Sequence, residues 1–323
     1  MQEKDQIPGE IAAHSARIIF MGTPEFAVAS LDALISAGFQ VVGVITAPDK
    51  PAGRGLKLTP SAVKKYAVEK GLNILTPEKL KNPEFLEQLG SLRADLQVVV
   101  AFRMLPEVVW NMPPLGTINL HGSLLPQYRG AAPINWAIIN GEKLTGVTTF
   151  KLKQEIDTGN ILLQESFEIG EFETAGEVHD RMKSIGAGLL VKTVRGILAG
   201  TLEEIPQQLT APGGEAAGTI HQAPKIFTEN CRIDWNKPVA EVFNLIRGLA
   251  PYPGAFTSFD EKMMKIYRAG KILSVPNQAP GTFDTDKKTY IRFACADGYI
   301  EPREIQLEGK KKMMVEEFLR GYR

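Results

Sequence analysis

Two residues two positions apart, Asn119 and His121, close the short apolar run Thr117–Leu120. Side chains on a strand alternate, so positions i and i+2 project from one face. A neutral amide donor and a titratable imidazole would therefore stand together at the C-terminal end of a strand. In open α/β sheets that end is where ligands bind. Taken alone, Asn119 is equally a strand-end amide satisfying backbone groups in a turn, and a lone histidine is more often structural than catalytic. The chain has four histidines; His14, His179 and His221 carry no partner pattern and read as structural or surface residues. Asp157, in Asp-Thr-Gly within the polar loop 153–160, supplies a carboxylate able to orient an imidazole, or is an ordinary turn residue.

The elements that would position these groups can be read along the chain. Arg17–Met21 is a compact apolar run ending at Gly22-Thr23-Pro24, helical spacing runs from Phe26 to Ala37, and Val41–Thr46 is a second β-branched run. Strand–helix–strand implies a parallel sheet. Helices are expected from Ser61, as N-cap, to Lys70, and from Asn82-Pro83 onward. Leu96–Ala101, almost uniformly apolar, suits a central strand buried on both faces. The loop after it, Phe102–Pro106, should lie beside the end of Thr117–Leu120 and wall the same pocket. Strands follow at Val147–Leu152, Ile161–Leu163 and Phe167–Ile169. Thr174 and Glu177 form a capping box before an apolar helical stripe that Gly200 stops. Beyond Val239–Leu249, a helix, short runs between Gly, Pro and Asp turns read as a small β-barrel.

The organisation is thus an extension over residues 1–16, an α/β domain over 17–206, a linker over 207–218 around Pro212 and Gly213-Gly214, and a β domain over 219–323. Ala47–Pro60, with three Pro and two Gly, reads as a long loop without regular structure. Lys50, Arg54 and Lys57 make it basic, which suits either a solvated loop or a clamp on a phosphate-bearing partner.

Composition narrows the function classes. The 323 residues are 44% hydrophobic and 23% charged, ordinary for a globular protein, and net charge is zero. Residues 207–323 carry 17 Lys and Arg against 14 Asp and Glu, too weak a bias to argue for nucleic acid. No apolar run approaches the ~18 residues of a membrane span. Residues 1–16 lack the basic start and apolar core of a signal peptide. Cys231 and Cys295 stand far apart without metal spacing, as two reduced thiols of a cytoplasmic protein would. The first turn, Met-Gly-Thr-Pro-Glu-Phe, is not a dinucleotide fingerprint, and no phosphate-binding P-loop occurs.

The combination of Asn119-x-His121, Ser123-Leu-Leu-Pro126, Arg129-Gly130 and Asp157-Thr-Gly resembles the folate-dependent formyltransferases. Met21–Val28, Pro51–Lys57, Gly130–Trp136 and Leu249–Phe256 resemble the branch whose acceptor is methionyl initiator tRNA, and the likeness extends over about residues 17–320. It implies an α/β fold: a Rossmann-like parallel-sheet formyltransferase domain followed by a small OB-like β-barrel that binds tRNA. It implies transfer of a formyl group from 10-formyltetrahydrofolate, as co-substrate and without a metal, to the α-amino group of the tRNA-borne methionine. Asn119, His121 and Asp157 would then be catalytic, with Asn119 facing the oxyanion and His121 moving protons. Ser123, Leu124, Leu125 and Pro126, with Phe102, Met104 and Leu105, would seat the folate, although plain packing explains Leu124 and Leu125 as well. Arg129 would hold loop geometry. Lys50, Arg54 and Lys57 would reach the tRNA, and the enzyme would act as a monomer in the cytoplasm.

Overall fold

A computed structural model describes residues 16–52, 57–207 and 220–322. The expected extension and linker therefore lie, but for Ala16 and Gln207, outside the described residues, as does Arg54. The chain forms two compact units. One takes residues through Gln127, Gly146–Ser166 and Asp180–Ile220; the other takes Tyr128–Thr145, Phe167–His179 and His221–Arg323.

The first unit begins with β1 (Arg17–Gly22), α1 (Glu25–Ser36) and β2 (Gln40–Ile45). A short ribbon of β3 (Lys50–Ala52) and β4 (Lys57–Thr59) follows, then α2 (Ala62–Glu69), β5 (Ile74–Leu75), α3 (Pro83–Ser91), β6 (Leu96–Val100), α4 (Glu107–Trp110) and β7 (Thr117–His121). After β8 (Arg129–Gly130) and α5 (Pro133–Ile139) come β9 (Leu144–Lys151), β10 (Ile161–Glu168) and α6 (Ala175–Leu198). The main sheet has the order β10-β9-β7-β6-β1-β2-β5. β1, β2, β5, β6 and β7 pair in parallel, and β9 runs antiparallel to β7. Every residue of β6 is buried, so its apolar run needs no polar face. Phe20, Ile18, Ile118 and Phe150, all fully enclosed, fix the register of β1, β7 and β9. Ser61 caps α2 through Lys64 N–H, and Asn82 caps α3 through Glu84 N–H with Pro83 as first helical residue.

Three local expectations are corrected. Pro and Gly do not keep Ala47–Pro60 irregular: Pro51 pairs opposite Leu58 in a ribbon of two strands, where a residue lacking its N–H is tolerated. Ile161–Leu163 and Phe167–Ile169 are not two strands but one, β10, with alternating exposure along its polar half. The strand foreseen from Val147 starts three residues earlier, at Leu144.

The second unit, to which β8 and α5 belong, adds β11 (Gln222–Ala223) and α7 (Val239–Leu249), then β12 (Ala255–Phe259), β13 (Lys262–Ile272), β14 (Phe283–Thr285), β15 (Ile291–Ala294), β16 (Tyr299–Leu307), β17 (Met313–Met314) and α8 (Val315–Leu319). The anticipated barrel takes the form of an antiparallel half-barrel of order β12-β13-β16-β15-β14, with β17 on β16. Register shifts near Arg268 bend the long β13. Val239, Val242, Phe243, Ile246 and Leu249 of α7 pack with Trp235, Phe259 and Phe293 into one core. Trp235 stacks on Phe293 at 4.6 Å and gives its indole N–H to Thr257. β8 lies against β11, where Gly130 has φ +127° and a Cβ would come 2.4 Å from the Ala223 carbonyl. Only glycine fits there.

The capping box of α6 forms as expected: Glu177 accepts from the Thr174 N–H and hydroxyl, and Thr174 Oγ1 accepts from Glu177 N–H. Arg268 reaches the same carboxylate at 2.6 Å. Burial works against the charged form, but Arg268 and Thr174 outweigh it and hold Glu177 down at about 2, from an ordinary 4.5. A carboxyl depressed on folding stabilises the native state above the unfolded value and loses that contribution as pH falls through the folded value. Glu177→Gln should therefore flatten the fall in stability between pH 4.5 and about 2. Parallel urea titrations across that range check it.

Candidate active site

β7 carries both leading residues because its two neighbours differ in direction. Parallel pairing with β6 sets Val99 opposite Asn119 and Val100 opposite Leu120, so the loop leaving β6 emerges beside His121. Antiparallel pairing with β9 sets Asn119 opposite Phe150 and His121 opposite Thr148. β9 therefore leaves the sheet at the other end and must return through residues 153–160 before β10. The edge of the Phe150 ring meets the imidazole at 6.5 Å, an apolar wall on one side of His121.

Asp157 stands on that returning loop, and its carboxylate lies 3.7 Å from His121 Nδ1. The two side chains are only 11% and 8% exposed, respectively. At 3.7 Å the pair is within ion-pair range but longer than a direct hydrogen bond. The loop conformation is specific. Asp157 has φ +54°, a left-handed conformation that non-glycine residues seldom adopt. The Gln207 amide donates to the Asp157 and Gly159 carbonyls, both at 2.8 Å. A Cβ on Gly159 would sit 1.5 Å from the Lys151 carbonyl, so the chain passes only as glycine. At the loop base Lys151 pairs with Glu204 at 2.7 Å and holds that carboxyl below its ordinary range, against the effect of burial. Asn160 donates to the same Glu204.

Ser123–Pro126 is a tightly held turn. Ser123 Oγ donates to the Gln127 carbonyl at 2.6 Å. Thr148 Oγ1 donates to the Ser123 carbonyl and accepts from Leu125 N–H and from Gln164 Nε2, which also donates to the Leu125 carbonyl. Leu125 packs on Phe150 and Ile161, and Leu124 fills the space above Gly146. After β6, Leu105 is buried in the sheet core, Phe102 is half-buried, and Met104 is 72% exposed. Leu152 packs against both the Phe102–Leu105 cluster and the Leu125 cluster. Of the basic residues, Lys50 is exposed on β3 and Lys57 is in β4. Arg129 pairs with Gln222 across β8 and β11, and the His221 ring stacks on Tyr128 at 5.6 Å. Among the described residues no three His, Cys, Asp or Glu side chains converge as metal ligands, and no helix is long and apolar enough to cross a membrane.

The arrangement offers a neutral donor and a carboxylate-backed imidazole on one enclosed edge, suited to an acyl-type transfer in which charge develops on oxygen and a proton moves. Residues 16–194 match a family model described as formyl transferase, and residues 225–323 match its C-terminal domain. The chain belongs to the formyl transferase family. Among similar formyl transferases is the methionyl-tRNA formyltransferase of Bacteroides fragilis, 52% identical over 311 residues and covering 95% of each chain. That of Parabacteroides distasonis is 54% identical over 313 residues, covering 95% of this chain and 96% of its own. A solved N-formyltransferase from Helicobacter canadensis, in complex with folinic acid and dTDP-3-aminofucose, shares the fold. Its TM-score is 0.66 at 22% identity, over 92% of this chain and all of that one.

Thr148, Gln164 and Gln207, which hold the turn and the loop, are not foreshadowed by any local sequence signal. Thr148 and Gln164 sit in strands where nothing local distinguishes them, and Gln207 falls at the edge of the stretch read as linker. Thr148→Val would strip the hydroxyl from three partners at once. Leaving buried polar groups unpaired costs about 1–3 kcal/mol each. The variant should lose at least about 2 kcal/mol in chemical denaturation.

Proposed function

We propose that this formyl transferase moves a formyl group from 10-formyltetrahydrofolate to the α-amino group of methionyl initiator tRNA, as a cytoplasmic monomer. The observation that carries the reading is the His121–Asp157 pair, 3.7 Å apart, with Asn119 two residues earlier on the same strand. The high identity to methionyl-tRNA formyltransferases over nearly the full length supports the choice of acceptor.

The chemistry follows from what the amine needs. An α-amino group near pKa 8 is nucleophilic only once deprotonated. With Nδ1 of His121 turned to Asp157, exchange with substrate falls to Nε2, which takes the proton as the amine adds to the formyl carbon. Asp157 fixes the ring and stabilises the proton it gains. Asn119 donates to the formyl oxygen as charge builds there; loss of one such donor costs roughly 3–4 kcal/mol of barrier. The departing folate nitrogen recovers its proton from the same imidazole. The half-buried Phe102 and exposed Met104 offer the folate an apolar rest, and the stiff Ser123–Pro126 turn offers a fixed one. Lys50, Arg54 and Lys57 contact the tRNA backbone, a role that needs charge without fixed geometry.

Incubation with 10-formyltetrahydrofolate and methionyl initiator tRNA should yield formyl-methionyl-tRNA. Formate release without tRNA, or formylation of a nucleotide aminosugar instead, would overturn the reading. Asn119→Ala should lower kcat about 100- to 1,000-fold and His121→Ala about 100- to 10,000-fold, with tRNA binding retained. Unchanged turnover in both would exclude the assigned roles. Arg54→Ala should raise KM for tRNA and leave folate binding as it was; equal loss of both would remove the loop from tRNA recognition.

A further inference from the structure

The opposite edge of the main sheet, where the parallel strands begin, holds a cavity of about 310 Å³. Its non-polar wall includes Leu89, Met112 and Pro113; its polar groups are Arg93, Asp95 and Gln97. Asp95 directly precedes β6 and Gln97 is its second residue, and both line the cavity. The hydrogen bond between Thr117 and Gln97 marks the near end of β7, four residues before His121. At ~3.3 Å per residue the cavity is thus about 13 Å from the catalytic histidine.

Gln97 is 1% exposed, yet its Nε2 has no partner among the described residues. The Thr117 hydroxyl sharpens what is missing. It lies 2.6 Å from the Trp110 carbonyl and 3.0 Å from the Gln97 amide oxygen. It has one proton, and the backbone carbonyl can only accept it. The Gln97 amide then turns its NH₂ to Thr117 and leaves its carbonyl oxygen unpaired. In either orientation one polar atom of a buried amide lacks a partner among the described residues, a costly state unless something fills the site.

The other two polar groups are also available. Asp95 uses Oδ2 to accept Arg17 N–H at 2.7 Å, and Oδ1 accepts nothing from the described residues. Arg93 is exposed and its guanidinium has no ion-pair partner among the described residues. A carboxylate acceptor, an amide acceptor and a guanidinium beside an apolar wall are the complement of one ligand chemistry. We propose that this cavity binds a free α-amino acid with an apolar side chain of leucine or methionine size. Its ammonium donates to Asp95 and Gln97, its carboxylate pairs with Arg93, and its side chain lies on Leu89, Met112 and Pro113. The cavity is at the small end of ligand sites, which suits a ligand of that size. The inference is independent of the acceptor assigned to the active site.

Calorimetric titration of the full chain with L-leucine and with L-methionine tests it. At least one should bind, and isocaproate and isoamylamine, lacking the ammonium and the carboxylate respectively, should bind at least about tenfold more weakly. Arg93→Ala, a surface change, and Gln97→Leu, which keeps the buried volume, should each weaken binding about tenfold or more while thermal unfolding shows the chain folded. No binding of either amino acid up to about 10 mM, or equal binding of isocaproate, would overturn the proposal. Binding that survives both substitutions would place the ligand elsewhere and overturn it too.

Discussion

The facing of Asp157 and His121 is the constraint on which the candidate site depends, because the two residues come from segments with no local reason to meet. His121 is fixed by the sheet: a parallel neighbour on one side and an antiparallel one on the other leave β7 a single register. Asp157 is fixed by its loop, which holds it in a left-handed conformation. Such a conformation costs on the order of 1–3 kcal/mol and persists only when its surroundings over-determine it. Here they do. Gln207 clamps two carbonyls of the loop, Gly159 lets the chain pass against Lys151, and the Lys151–Glu204 pair closes the base. The imidazole thereby meets a carboxylate whose position is set by backbone rather than by a flexible side chain.

The antiparallel strand β9 has a second consequence. It brings Thr148 against His121 and beneath the Ser123–Pro126 turn, so one hydroxyl supports the turn that follows β7. A rigid turn and a rigid loop flank the same imidazole. Such preorganisation is what the roles proposed for Asn119 and His121 require, since a displaced donor stabilises little.

Much of this was legible in the sequence, for identifiable reasons. β1, β6 and β7 are apolar runs because both faces of a central strand are covered, and that signal is local. The caps at Ser61, Asn82 and Thr174 are local too, each a side chain bonding to its own helix. Asn119 and His121 could be paired because strand alternation guarantees their shared face. What could not be read depends on distant partners. Gln207 is 50 residues from Asp157, and Gln164 is 39 from Leu125. The ribbon around Pro51 was hidden because composition argued against strands while the pairing geometry permitted them. That one polar atom of the Gln97 amide lacks a partner among the described residues has no sequence signature at all: a glutamine entering an apolar strand looks the same whether its amide is satisfied or not.

If Asp157 acts through His121, the two side chains form one functional unit and their losses do not add. A double-mutant cycle in kcat, comparing His121→Ala, Asp157→Ala and the two combined, measures this directly. The expected result is that the double variant is no slower than His121→Ala alone. A double variant slowed by the product of the two single effects would mean that Asp157 works independently of the imidazole, and would contradict the pairing on which the site is built.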